Sequence, residues 1–159
     1  MITWLTDTLI GKMTMTFLIS MLPVVELRLG LPYGIAIGLD YPLALTAAIL
    51  GNLLPVPVII LFIKNVLLFL RAHFKKLDGF ITKLENRANL KSEMVTKYGQ
   101  IGLCLLVAIP LPGTGAWTGA LVAALMGMRL RKALLPIVLG VLIAAAIMTG
   151  VTFGVIHLI

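Results

Sequence analysis

Apolar residues fill this chain in four long blocks. The first runs from Met13 to about Leu39, the second from Tyr41 to Leu70, the third from Gly99 to Met128 and the fourth from Ala133 to Ile159. Between the second and third lies a polar stretch, Arg71 to Tyr98. Within it Phe74, Leu77, Ile81, Leu84, Ala88, Val95 and Tyr98 recur at helical spacing, so one stripe is apolar and the other faces are charged. This predicts an amphipathic helix, either lying on a membrane surface or serving as a solvated linker.

Two of the blocks are broken inside. "PLPGTG" at 110 to 115 divides block three into arms of about 11 and about 15 residues, each shorter than the ~20 that a membrane crossing needs. Pro110 and Pro112 do not fit one continuous helix, and Gly113 and Gly115 weaken it further. A re-entrant helical hairpin is the expectation, since broken backbone at membrane depth must be buried in protein or line a cavity. Block one has the same anatomy, interrupted by Pro23, Glu26, Arg28 and Pro32, with its second arm ending near Asp40. Block two carries "GNLLPVP", where Pro55 and Pro57 predict a kink that frees backbone carbonyls. Asn52 is a candidate partner for them, in a transport role or as mere packing.

An offset of 89 residues brings the halves into register: Leu22-Pro23 falls on Leu111-Pro112, Gly30 on Gly119, Gly38 on Gly127 and Gly51 on Gly140. Charge then orients them. The polar stretch holds seven Lys or Arg against three acids, and "RLRK" at 129 to 132 is the next basic cluster. Basic segments flank the cytoplasmic side of membrane proteins, so block two crosses inward, block four crosses outward, and the hairpins enter from opposite sides. The expected fold is an all-α integral membrane protein of one domain. It has two inverted-topology repeats, about 11–70 and about 99–159, each a re-entrant hairpin followed by a transmembrane helix. A basic amphipathic cytoplasmic helix, 71–98, joins them. Such paired inverted units are an architecture of secondary transporters.

Composition sharpens this and removes alternatives. The apolar fraction is 60%, only 12% of residues are charged, and mean hydropathy is +1.11. A soluble domain of 159 residues cannot hide so much apolar side chain. The net charge of +7 therefore reflects basic membrane-facing segments and not a nucleic-acid partner. The single Cys104 cannot form an internal disulfide. The N-terminus has no cleavage-site pattern, and the whole chain is taken as mature protein in the inner (cytoplasmic) membrane.

With these residues together, "LPVVELRLGLPYG" followed by a long apolar helix, a basic middle and "IPLPGTGAWTGALVAALMGM" resembles the small multidrug export protein family, from about Met13 to His157. That family in turn looks like a distant relative of DedA-like membrane proteins, in which paired re-entrant hairpins carry an acid in the first and a Pro-Gly turn followed by an arginine in the second. Glu26 matches the acid and Pro112-Gly113 the turn. Thr114, Gly115 and Ala116 stand where the arginine is expected, and Arg28 lies beside Glu26 instead. The resemblance implies transport, with a polyprenyl-phosphate-like lipid as the DedA-type substrate.

The charges at the first break are the candidate chemistry. Ionised groups at membrane depth are costly, by at least ~2.5–3.5 kcal/mol each, and are normally paired or functional. Positions i and i+2 of a helix do not face each other. Glu26 and Arg28 therefore meet only if the backbone turns; otherwise Thr114, Trp117 and Thr118 on the other tip are their partners. Arg28 suits an anion clamp and Glu26 a proton carrier. The backbone after Pro112-Gly113-Thr114 offers N–H donors to an anion. The candidate substrate and proton site is Glu26, Arg28, Asn52, Pro112, Gly113, Thr114, Trp117 and Thr118. No nucleotide loop, metal cluster or nucleophile constellation occurs, so neither an enzyme nor a cofactor is expected. Expected partners are membrane lipid, an amphiphilic small-molecule or lipid substrate, protons, and a second copy in a homodimer. The expected function is a proton-coupled transporter or flippase with a polyprenyl-phosphate-like lipid as the favoured cargo, because Arg28 would repel a lipophilic cation; an exporter of lipophilic cations and a non-transporting scaffold are the alternatives. Gly30, Gly34 and Gly38 form a smooth helix face that suits either the internal packing or a second subunit.

Overall fold

The computed structural model describes residues 7–111 and 113–158, with side chains as far as residue 154. Regular structure among them is helical: α1 (Leu9–Ser20), α2 (Glu26–Ala36), α3 (Tyr41–Leu53), α4 (Pro55–His73), a 3-10 turn (Lys75–Leu77), α5 (Asp78–Ala108), α6 (Ala116–Leu125) and α7 (Leu130–Leu158). In the first half α1, α2 and α3 pack on one another. In the second, α5, α6 and α7 do so. The halves interlock because α4 packs on α6 and α2 packs on α7.

Small residues let α1 and α2 approach. Thr16 and Ser20 donate their hydroxyls to the carbonyls of Lys12 and Thr16, so each satisfies its polar atom within its own helix. Their fully buried side chains then meet glycines: a Cβ on Gly34 would overlap Thr16, and one on Gly30 would overlap Ser20. Gly30 and Gly34 thus serve packing inside the hairpin, while Gly38 has a different task. With φ +77 it ends α2 in a Schellman motif, its N–H donating to Ile35 O and that of Leu39 to Gly34 O.

The same motif closes α6. Gly127, at φ +71, donates to Ala124 O, and Met128 donates to Ala123 O. These four bonds match at the 89-residue offset, and so do the starts of α3 at Tyr41 and α7 at Leu130. Gly51 and Gly140 also correspond, each lying against the backbone of a facing arm, at Phe17 and Cys104 respectively.

Two stretches are long and apolar enough to cross a membrane: Tyr41–His73, 33 residues of mean hydropathy 2.4, and Leu130–Gly154, 25 residues of mean hydropathy 2.5. The first runs through α3 and α4, because Leu54 keeps helical dihedrals (φ −56, ψ −44). Pro55 and Pro57 have no N–H, so the carbonyls of Gly51 and Leu53 lose their helical donors there. Phe62, Leu68 and Phe69 on α4 and Leu135 and Leu139 on α7 are exposed, an apolar exterior that requires lipid or a partner.

Three expectations change. Pro32 does not interrupt the second arm; it lies inside α2, where its missing N–H leaves the Arg28 carbonyl without the usual helical donor. From Asp78 onward the polar stretch and the first arm of block three form one helix, α5, bent sharply at Gly99 (φ 60, ψ −132). The middle of the amphipathic stripe packs inward: Ile81, Ala88 and Val95 are at most 3% exposed and belong to the protein core. Its ends, Phe74, Leu77 and Tyr98, remain exposed, as do Phe80 and Leu90 off the stripe.

Candidate functional site: two facing breaks joined by Glu26 and Arg28

The first break is a tight turn. Met21 donates to Phe17 O and Leu18 O, Leu22 to Ile19 O, and Glu26 to Leu22 O. Glu26 then takes φ 50, the one non-glycine residue with positive φ among the described residues, and opens α2. Left-handed backbone at a glutamate costs of order 1–3 kcal/mol and persists only where the surroundings enforce it. They do so here through the side chain. Glu26 is 4% exposed, and its Oε1 accepts the Trp117 N–H at 3.1 Å. The carboxylate therefore sits at the N-terminus of α6, where the helix dipole and free N–H groups favour negative charge.

Trp117 returns the contact, its indole N–H donating to Met21 O at 3.0 Å. Gly115 makes the approach possible. A Cβ there would overlap the Glu26 carboxylate, and its φ of +116 belongs to glycine.

Arg28 reaches the same loop from the next turn. Its Nη1 donates to Leu111 O, and its Nη2 to Thr114 Oγ1 at 2.7 Å and Ile109 O at 3.3 Å. Thr114 is the hub of the loop: its hydroxyl lies 2.6 Å from Ile109 O and 2.7 Å from Leu111 O, and it accepts the Leu111 N–H at 3.2 Å. The guanidinium fork thus adds charged donors to two carbonyls of a non-helical segment that also accept the Leu111 and Thr114 N–H groups.

Glu26 and Arg28 form no ion pair within 4.0 Å. Each serves the opposite break, one bonding to a backbone donor and the other to acceptors. Ion pairs among the described residues belong to the polar stretch, where Arg71 meets Asp78 at 2.8 Å and Glu85 at 2.9 Å.

Of the residues expected at this site, Glu26, Arg28, Thr114 and Trp117 come together. Gly113 is exposed on the same loop with φ +80, and Pro112 lies outside the described residues. Thr118 is half-buried in the first turn of α6 without a side-chain hydrogen bond among the described residues. Asn52 makes no hydrogen bond to these residues: it is 3% exposed, and its Oδ1 has no hydrogen-bond partner. It does not donate to the carbonyls freed at the kink. Gly115 and the carbonyls of Met21, Ile109 and Leu111 were not anticipated. The signal for Gly115 was the offset of 89, which pairs it with Glu26. No group of three or more His, Cys, Asp or Glu among the described residues is placed to hold a metal.

A family profile described as "Putative small multi-drug export protein" matches residues 26–147, beginning at Glu26 and spanning the second break. The chain belongs to this family. Membership in this export family, together with two membrane-capable helices and an apolar exterior, makes it a membrane protein. No curated protein and no solved structure matches the chain, so the likeness to DedA-like proteins rests on the sequence motifs alone.

Proposed function

We propose that the chain is a proton-coupled secondary transporter of amphiphilic small molecules, with lipophilic cations its favoured cargo. On this reading α1–α2 and the α5–α6 arms are re-entrant hairpins of two inverted repeats. The recurrence of element starts, Schellman caps and close glycine contacts at one offset supports that arrangement. Two copies form the working unit, since so few spans enclose a pathway poorly.

The observation that carries the reading is the Glu26 carboxylate, buried between the two breaks without an ion pair. A buried carboxylate without a direct ion pair can hold either a proton or a cationic substrate, and trading one for the other couples their movement. The family description agrees with an exporter.

Arg28 fits less well as an anion clamp. It already donates to three acceptors on the facing loop, and a phosphate would have to displace them. Transport of a polyprenyl-phosphate-like lipid therefore requires that loop to be released first. A scaffold without transport would use the same carboxylate only as the N-terminal cap of α6, and Glu26→Gln would then change stability without changing transport.

The test is transport in proteoliposomes loaded with tetraphenylphosphonium or a polyprenyl phosphate. A pH gradient should drive movement of the cation by the native protein, and Glu26→Gln should abolish that dependence. Gradient-independent movement, or a gradient response retained in Glu26→Gln, contradicts the proposal. Selective movement of the phosphate instead would favour the lipid reading.

A further inference from the structure

The limb of α5 before its bend at Gly99 has three distinct faces. Ile81, Ala88 and Val95 are buried in the core and spread along the limb, so it lies against the rest of the protein over most of its length. It does not stand off into solvent as a free arm. Apolar segments adjoin both ends: the membrane-capable stretch Tyr41–His73 leads towards it, and past Gly99 the chain continues with Ile101, 69% exposed. The limb therefore belongs at the membrane boundary, where basic segments collect.

Its two outward faces differ in kind. Thr82, Asn86, Asn89 and Glu93 follow helical spacing and are polar throughout. On the other face Phe80, Lys83, Arg87, Leu90, Met94 and Lys97 recur in steps of three and four, and all are exposed. Phe80 and Leu90 are 67% and 72% exposed. No acid stands on this face. It is not the apolar stripe that periodicity singles out, whose middle turns inward.

Charge selects the occupant. The polar stretch holds seven Lys or Arg against three acids, and setting aside Arg71 with its partners Asp78 and Glu85 leaves six against Glu93 alone. Lys83 and Arg87 have no ion pair among the described residues. Exposed cations interleaved with exposed apolar side chains match the headgroup layer of an anionic bilayer. There lysine and arginine reach phosphates while apolar side chains enter the acyl boundary. An uncharged bilayer leaves the cations unanswered, and a soluble polyanion leaves Phe80 and Leu90 in water.

We infer that this face of α5 gathers anionic phospholipids of the bilayer in which the chain sits. Their phosphates meet Lys83, Arg87 and Lys97, and their upper acyl chains lie against Phe80, Leu90 and Met94. None of these residues belongs to the Glu26 site, so the inference stands apart from the transport reading.

The test is lipid-borne quenching of a fluorophore on the full chain, reconstituted into mixed phosphatidylcholine and phosphatidylglycerol vesicles. Leu90→Cys in a Cys104→Ser background carries the fluorophore. The quencher is a nitroxide near the headgroup end of an acyl chain, on one lipid or the other. Labelled phosphatidylglycerol should quench about fivefold more effectively than labelled phosphatidylcholine, the worth of one cation at an anionic headgroup. Lys83→Gln combined with Arg87→Gln, or high salt, should bring the two lipids close to equality. The same fluorophore at Asn89→Cys, on the polar face, should be quenched less by either. Quenching at Leu90→Cys no stronger than at Asn89→Cys would place the face in water and overturn the inference. Equal quenching by the two lipids would overturn it too, as would a preference that survives loss of Lys83 and Arg87. Glu26→Gln should keep the lipid preference while losing coupling, so the two proposals fail separately.

Discussion

The carboxylate of Glu26 lies directly against the Cα of Gly115, the residue 89 positions later that occupies the corresponding place in the second half. Both have positive φ, 50 and 116. The acid of one half occupies the space left by the missing side chain of the other.

Gly115→Ala should therefore be among the most damaging single-methyl additions in the chain. It combines overlap with the Glu26 carboxylate and a left-handed backbone that alanine resists. A loss of about 2–5 kcal/mol is expected from overpacking and strain together. Thermal unfolding in detergent measures it. A melting temperature equal to that of the native protein would mean that the two breaks do not touch.

Glu26 is strained as well as bonded, which separates two substitutions that both remove its carboxylate. Glu26→Gly relieves the positive φ and Glu26→Ala does not, so the glycine variant should be the more stable by about 1 kcal/mol. The reverse order would place Glu26 in an ordinary helical conformation.

Arg28→Lys retains charge but loses the planar fork that reaches Leu111, Ile109 and Thr114 together. Amide hydrogen exchange at residues 111 and 113–115 should accelerate in Arg28→Lys nearly as much as in Arg28→Ala. Each charge-assisted hydrogen bond lost is worth roughly 1.5–3 kcal/mol. Native protection in Arg28→Lys would show that charge alone holds the loop.

Glycines of the crossing helices should divide by what they face. Gly51→Ala would drive a methyl into the Phe17 backbone and Gly140→Ala into that of Cys104, each costing about 1–3 kcal/mol. Gly150→Ala meets open space in the same kind of helix and should be neutral or stabilising by up to about 1 kcal/mol. Comparing the three melting temperatures checks the packing of α3 on α1 and of α7 on α5.

Asn52→Leu should leave stability unchanged or raise it, because the buried Oδ1 has no partner to lose and burying an amide oxygen alone is unfavourable. A melting temperature lowered by the equivalent of ~2 kcal/mol would reveal a bound group at the kink.

Much of this fold is written in local chemistry. Pro23 and "PLPGTG" mark real breaks because proline lacks a donor and glycine tolerates positive φ, facts that need no tertiary context, whereas the helical path continues through Leu54 at the Pro55–Pro57 pair. The offset of 89 was legible because each half needs its small residues and caps at the same places. Tertiary contacts were harder to read. Glutamate gives no signal of a left-handed turn, so the i, i+2 spacing left open whether Glu26 and Arg28 pair or reach Thr114 and Trp117 on the other tip, and the structure shows the second. Pro32 is tolerated inside α2, where neighbouring helices support the backbone. The stripe through Ile81, Ala88 and Val95 was visible, but periodicity identifies an apolar face without saying what covers it.

The central claim is that Glu26 exchanges a proton for a cationic amphiphile. Adding tetraphenylphosphonium to purified, weakly buffered protein and recording the pH tests it without any transport assay. Proton release that saturates with bound cation and vanishes in Glu26→Gln is the predicted result. Binding without proton release, or equal release in Glu26→Gln, would contradict it.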